Sequence, residues 1–171
     1  MTNSDTRIAV YNGSFDPITL GHVNVIQRSS SLVDRLIVGI GINAEKSSLF
    51  TLDERVELVR HAVEKFKNVE VRTFNGLAVQ FVRDCGARVM IRGVRPLTDI
   101  AGEFTMQMAN RHLDPGIETV FLMADEEFAH ISSSLLKQIT PLATDEMLLR
   151  FVPAEILPAL RRKLPSPVTR T

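Results

Sequence analysis

The chain has 171 residues, 44% hydrophobic and 23% charged, which suits one soluble domain with a sizeable core and excludes a disordered chain. Twenty Lys and Arg balance twenty Asp and Glu, which argues against nonspecific nucleic-acid or membrane binding as the main task and leaves self-association open. A single cysteine excludes an internal disulfide, no Cys/His cluster has metal-ligand spacing, and no apolar run reaches membrane length. The polar start, Met1 to Arg7, has no apolar signal core, so a cytoplasmic protein is expected.

In chain order, the first predicted strand is "R-I-A-V-Y" over 7–11. "N-G-S-F-D-P-I-T-L-G-H" follows it and leads into a helix beginning near Thr19. Gly13 permits a turn or a close backbone approach, Ser14 offers a hydroxyl at the strand exit, and Asp16-Pro17 favours a turn. Thr19 can cap the helix, and Gly21 lets another backbone or a nucleotide come near. His22 falls in the first helical turn, beside N–H groups suited to phosphate. Taken alone, the stretch reads more readily as a tight turn with a surface histidine. It is neither a Walker A loop nor G-x-G-x-x-G.

The second strand is predicted over 35–42 and leads to Lys46, which by itself could be a solvated loop lysine. Thr51 and Glu54 form a capping box for a helix whose apolar stripe is Leu52, Val56, Val59, Val63 and Phe66. A third strand spans 69–74, and a helix begins near Gly76 and carries Cys85, expected as a buried, inert thiol. The fourth strand, 88–92, ends in "I-R-G-V-R". Arg92 and Arg95 there could form an anion clamp or simply be surface charge.

A further helix begins near Thr98, and its Met and Leu residues in "F-T-M-Q-M-A-N-R-H-L" suit core or subunit contact. The fifth strand, 118–123, is followed by a solvated acidic patch, Asp125 to Glu127. Then come Phe128, Ala129, His130, Ile131, Ser132, Ser133 and Ser134. Ser132 is a good N-cap, and the three serines could hold a phosphate tail with hydroxyls and backbone N–H groups. Phe128 and His130 could flank a base, or belong to core or surface. Pro153 suits the first turn of a last helix, which Pro158 kinks or splits into two pieces. The tail from Pro165 to Thr171 is expected to be disordered.

Five apolar strands alternating with helices predict an α/β fold, a doubly wound five-stranded parallel sheet of Rossmann-like form. One domain over 1–171 is expected, with an ordered core of about 7–164. Ligands of such sheets bind beyond the carboxyl ends of the strands, and the candidate residues lie just after strands.

"G-S-F-D-P-I-T-L-G-H", "F-T-L-D-E-R", "I-R-G-V-R", "N-R-H-L" and "I-S-S-S-L-L-K" occur together and in order. In these blocks and their spacing the chain resembles the bacterial phosphopantetheine adenylyltransferases. These are nucleotidyltransferases with an H/T-x-G-H signature, here Thr19 to His22. The resemblance spans about residues 7 to 160. It implies a nucleotidyltransferase fold and transfer of the adenylyl group of ATP to 4'-phosphopantetheine, giving dephospho-coenzyme A and pyrophosphate in coenzyme A synthesis. It also implies Mg²⁺ carried by ATP rather than held in a protein cage, coenzyme A as a further ligand, and a homohexamer, with no nucleic-acid or membrane partner.

By the same resemblance, His22 stabilises the transition state. Ser14, Lys46, Ala78 and Arg92 meet the phosphopantetheine. Ser14, Phe15 through its backbone, His22, Gly93, Val94, Arg95, Glu103 and the run Phe128, Ala129, His130, Ile131, Ser132, Ser133 and Ser134 meet ATP. Ser14 replaces the family's usual Thr, Asn12 a usual Pro and Gly102 a usual Tyr, and the prolines usual around Lys46 are absent. Relatives with the same signature use nicotinate mononucleotide or a polyol phosphate as acceptor; Lys46, Arg92 and "I-R-G-V-R" argue against those. A noncatalytic nucleotide sensor on the same fold is the reading from another class.

Overall fold

Strand β1 (Ile8–Gly13) buries Ala9, Val10 and Tyr11 in succession, and β2 (Arg35–Gly41) buries every residue from Leu36 to Ile40. Consecutive burial needs cover on both faces, which a strand finds inside a parallel sheet flanked by helices. The computed structural model describes residues 6–42, 47–94 and 100–166. In it β1 and β2 join β3 (Val69–Phe74), β4 (Val89–Val94) and β5 (Glu118–Met123) in an all-parallel sheet of order β3-β2-β1-β4-β5. Val10 on the central strand pairs with Ile37 on one side and Met90 on the other.

Alternate residues of the strands feed two cores. One holds Tyr11, Val38 and Ile91 with Ile26 of α1 (Leu20–Ser30) and Val59 of α2 (Leu52–Val63). Leu136, Leu148 and Leu160 join it from α5 (Ser133–Ile139), α6 (Asp145–Leu148) and α7 (Leu157–Lys163). The other core packs Val10, Ile37 and Met90 against Val79 and Val82 of α3 (Ala78–Asp84), with α4 (Ile100–Leu113) beside α3. The strand order reverses between β1 and β4, so a crevice opens at their carboxyl ends.

The capping boxes at Thr19 and Thr51 form, and Ser132 caps α5. Pro153 precedes a 3₁₀ turn, Ala154–Ile156, rather than entering a helix, and Pro158 sits in the first turn of the separate α7. The expected split into two pieces therefore occurs. Sequence reading overlooked α6, which Thr144 caps with Asp145 and Glu146 in its first turn. The start expected at Thr98 lies outside the described residues.

One expectation needs correction. The stripe of α2 is rotated: Arg55, Leu58, Val59, Ala62 and Val63 are buried, while Leu52, Val56 and Phe66 pack at the margin. The charged Arg55 turns inward because backbone carbonyls wait for it there. The methionines of α4, expected in the core or at a subunit contact, are outside the core: Met106 and Met108 are 57% and 62% exposed, beside exposed Phe104. Cys85 is free and buried as expected; burial raises the thiol's pKa, against the pull of Arg72.

Gly39 of β2 marks the closest sheet-to-helix contact. A Cβ there would overlap the ring of Phe81, which is stacked on Phe74 at 4.5 Å. Gly39→Ala is expected to destabilise the fold by about 1–3 kcal/mol through overpacking, read as a lowered urea midpoint; an unchanged midpoint would show that the ring can move aside.

Candidate active site

The crevice between β1 and β4 encloses a cavity of about 400 Å³. Asn12, Gly13 and Ser14 enter it from the exit of β1, and Thr19, Gly21, His22 and Val25 from the start of α1. Arg92, Gly93 and Val94 come from β4, Glu103 from α4, and Phe128, Ile131 and Ser132 to Ser134 from the segment opening α5. Residues far apart in sequence meet because they lie in the last residues of β1 and β4 or in the segments that follow strands.

His22 is the third residue of α1 and the reciprocal member of its capping box. The Thr19 amide donates to His22 Nδ1 at 3.1 Å, and the Thr19 hydroxyl oxygen accepts from the His22 amide at 3.4 Å. An Nδ1 that accepts leaves the proton of a neutral imidazole on Nε2. The ring also meets Phe15 edge-on at 5.1 Å. The cap thus fixes both the position and the tautomer of the ring. A Cβ on Gly21 would make only ordinary contacts, 3.5 Å from the Phe128 carbonyl, so neighbouring protein does not demand glycine there.

Arg92 presents its fork to Glu103, with Nε to Oε2 at 2.8 Å and Nη2 to Oε1 at 2.7 Å, while Nη1 donates to the Asn12 carbonyl at 2.9 Å. Burial opposes the Arg92 charge, but the Glu103 carboxylate outweighs it and raises the guanidinium above its ordinary pKa. The residue read as a phosphate clamp therefore holds an anion already, in bidentate geometry.

The serines divide. Ser132 caps α5 by accepting from the Leu135 amide at 3.0 Å, and the Ser133 hydroxyl donates to the Pro17 carbonyl at 2.8 Å. Ser134 is exposed on the cavity wall. Ser133 thus commits its hydroxyl proton to the fold, whereas Ser132 uses only a lone pair and keeps its O–H to donate.

Several predicted residues stand elsewhere. Ala78 packs against the α3 core and does not line the cavity. His130 turns to a second hollow, where it meets Phe151 at 5.7 Å, so it does not flank a base in the main cavity; Ala129 is likewise off its wall. The Phe15 ring is 1% exposed and belongs to the core, which leaves only its backbone for a ligand. Lys46 and Arg95 lie outside the described residues.

Sequence reading missed two charged residues beneath the site. Asp16, 5% exposed, accepts from the Leu49 and Phe50 amides at 2.8 Å each and from Lys137 Nζ at 2.6 Å. Burial works against its charge, yet these three donors outweigh burial and hold the carboxyl below its usual range. Arg55, also 5% exposed, donates from Nη1 to the carbonyls of Ser14 at 2.8 Å and Gly41 at 3.2 Å. The Asp-Pro dipeptide reads only as a turn, and Arg55 carries no expected role. Their signal lay in position, with Asp16 between the apolar Phe15 and Pro17, and Arg55 one residue off the chosen stripe.

Comparison with known proteins agrees with this architecture. A family model described as cytidylyltransferase-like matches residues 10–139. A phosphopantetheine adenylyltransferase of Rhodopirellula baltica is 65% identical over 161 residues, covering 94% of this chain and 90% of that one. One from Clostridium botulinum is 43% identical over 158 residues, covering 92% and 95%. The solved structure of Plasmodium falciparum nicotinic acid mononucleotide adenylyltransferase, complexed with NaAD, superposes with a TM-score of 0.56 at 15% identity, covering 92% of this chain and 95% of that one; it shares the fold.

Asp16 gives a pH test. Folding lowers its pKa, so its contribution is complete above the ordinary carboxylate value and is lost as pH falls through the lower folded value. Asp16→Asn is expected to cost on the order of 1–3 kcal/mol at neutral pH, because donors lose a charged partner. The melting-temperature gap to the wild type should narrow below about pH 4; a gap constant from neutral to acid pH would contradict the ionised assignment.

Proposed function

This chain belongs to the phosphopantetheine adenylyltransferases, and from that membership we propose how its cavity moves the adenylyl group of ATP to 4'-phosphopantetheine, yielding dephospho-coenzyme A and pyrophosphate on the route to coenzyme A. The observation that carries the reading is the convergence of His22, Arg92, Ser14 and the segment opening α5 on one crevice.

The nucleophile is a phosphate oxygen of 4'-phosphopantetheine, already anionic near neutral pH, so no general base is needed. It attacks the α-phosphorus of ATP in line with the bond to the α,β-bridging oxygen. That bond breaks, and its electron pair leaves on pyrophosphate. Catalysis then rests on bringing two anions together and neutralising the charge that builds between them. His22, held by Thr19 at Nδ1, donates its Nε2–H to the α-phosphoryl group and keeps the proton.

Arg92 and Lys46 hold the acceptor phosphate. Glu103 keeps the Arg92 fork aligned beforehand, and the phosphate takes its place, exchanging one bidentate anion for another. Glu103 is then released toward the nucleotide. Arg95, Ser134 and the backbone of Gly93 and Val94 hold ATP and its departing pyrophosphate.

Mg²⁺ fits here as the nucleotide's companion. Among the described residues Glu103 is the one carboxylate on the cavity wall, and no three His, Cys, Asp or Glu side chains converge as a metal site. Phosphate oxygens with the Ser14 hydroxyl would supply the ligands. When bound, the ion neutralises phosphate charge.

Self-association has a surface to use. Phe104, Met106 and Met108 on α4 are exposed near the free edge strand β5, whose Val120 and Met123 are also exposed. Such a patch suits burial against further copies in a homohexamer. None of the described helices is long and apolar enough to cross a membrane. The need for ATP and the unpaired thiol of Cys85 suit the cytoplasm.

Purified protein with ATP and 4'-phosphopantetheine is expected to release pyrophosphate, and to prefer that acceptor over nicotinate mononucleotide and polyol phosphates in a side-by-side screen. No release above background, with nucleotide binding intact, would favour a sensor. His22→Ala should lose about 2.7–4 kcal/mol of transition-state stabilisation, the worth of one oxyanion donor, read as kcat with ATP binding retained; near-normal kcat would remove His22 from the mechanism. Light scattering should read a hexamer, dispersed by Met108→Glu; a monomer for the unaltered protein would contradict that assembly.

A further inference from the structure

Arg55 is a buried guanidinium with no carboxylate partner among the described residues. Its Nη1 takes the carbonyls of Ser14 and Gly41, and its Nε is buried without an acceptor. A desolvated cation held only by carbonyl dipoles is costly, and it lies directly beneath the exits of β1 and β2.

The Ser14 carbonyl belongs to the same peptide unit as the Phe15 amide. In a trans peptide the two point in opposite directions, so a carbonyl drawn toward Arg55 turns the Phe15 N–H away from it. That N–H meets no acceptor among the described residues. Phe15 also has φ +46°, in the left-handed region that L side chains rarely adopt. Such a conformation persists where its surroundings impose it. Here the buried Phe15 ring holds one side of the residue and Arg55 the carbonyl on the other.

We propose that Arg55 is a positioning residue: it turns the Ser14–Phe15 peptide so that the Phe15 N–H is offered to a phosphate of the bound nucleotide, and it supplies the buried positive charge behind that phosphate. The proposal deepens the adenylyl-transfer reading and rests on it for the identity of the anion. The bound phosphate then supplies the counter-charge that the described residues do not. Arg55 touches no reacting atom in this arrangement and acts through Ser14 and Phe15.

The test separates phosphate from the rest of the nucleotide. ATP and adenosine are titrated by calorimetry into the unaltered protein, Arg55→Met and Arg55→Lys, with melting temperatures alongside. ATP should bind the unaltered protein more tightly than adenosine does. Arg55→Met should weaken ATP about 10- to 100-fold and leave adenosine within about twofold. A purely structural role would weaken both ligands together, and that result, or unchanged ATP binding, overturns the proposal. Should Arg55→Met fail to fold, Arg55→Lys carries the test. It keeps the charge but loses the fork, so ATP should weaken several-fold and adenosine should not; equal effects on the two overturn the proposal. Pyrophosphate release is measured separately, so a protein that binds ATP through Arg55 but transfers nothing contradicts the transfer reading and not this one.

Discussion

One buried carboxylate joins the pieces of this site. Asp16 takes two amides at the entry to α2 and the ammonium of Lys137 from α5, so the exits of β1 and β2 and the helix after β5 share an anchor. Arg55 returns the connection from α2 to the exit of β1. A negative group reaches out of the loop and a positive group reaches back into it. Because both are buried, removing one partner strands the donors or acceptors of the other segment. The capped His22 and the serine segment stand on that junction.

Above it, the cavity is arranged for anions that repel each other. Donors come from separate strand exits: a histidine with its tautomer set by a helix cap, an arginine fork, and hydroxyl and backbone groups at the start of α5. The Arg92–Glu103 pair is partly buried, at 24% and 22% side-chain exposure, where charge pairs are screened less than at the surface. It keeps the Arg92 fork aimed and its charge offset by Glu103.

Much of this was legible in the sequence because the physics was local. Near-continuous apolar strands announced a covered parallel sheet, and Thr51 with Glu54 and Ser132 announced helix starts that form as read. The motif positions fell after strands, and topology brought His22, Arg92, Glu103 and Ser134 to one cavity. The failures came where tertiary context overrode local rules. Arg55 is buried because two carbonyls needed a donor, which no periodicity reveals. Ser133 commits its hydroxyl proton to the Pro17 carbonyl, and His130 turns to a different hollow. Ala78 follows a strand, yet packs into a core. Position at or beyond the carboxyl end of a strand opens a place in the site, but side-chain direction decides it.

The central claim is that this chain transfers the adenylyl group directly, by holding two phosphates in line, with His22 as a donor rather than a nucleophile. The stereochemical course at the α-phosphorus tests it most directly. With ATP made chiral at that phosphorus by oxygen isotopes, one in-line displacement by 4'-phosphopantetheine predicts inversion in the dephospho-coenzyme A formed. Retention would require two displacements through a covalent adenylyl-enzyme, and would contradict the account.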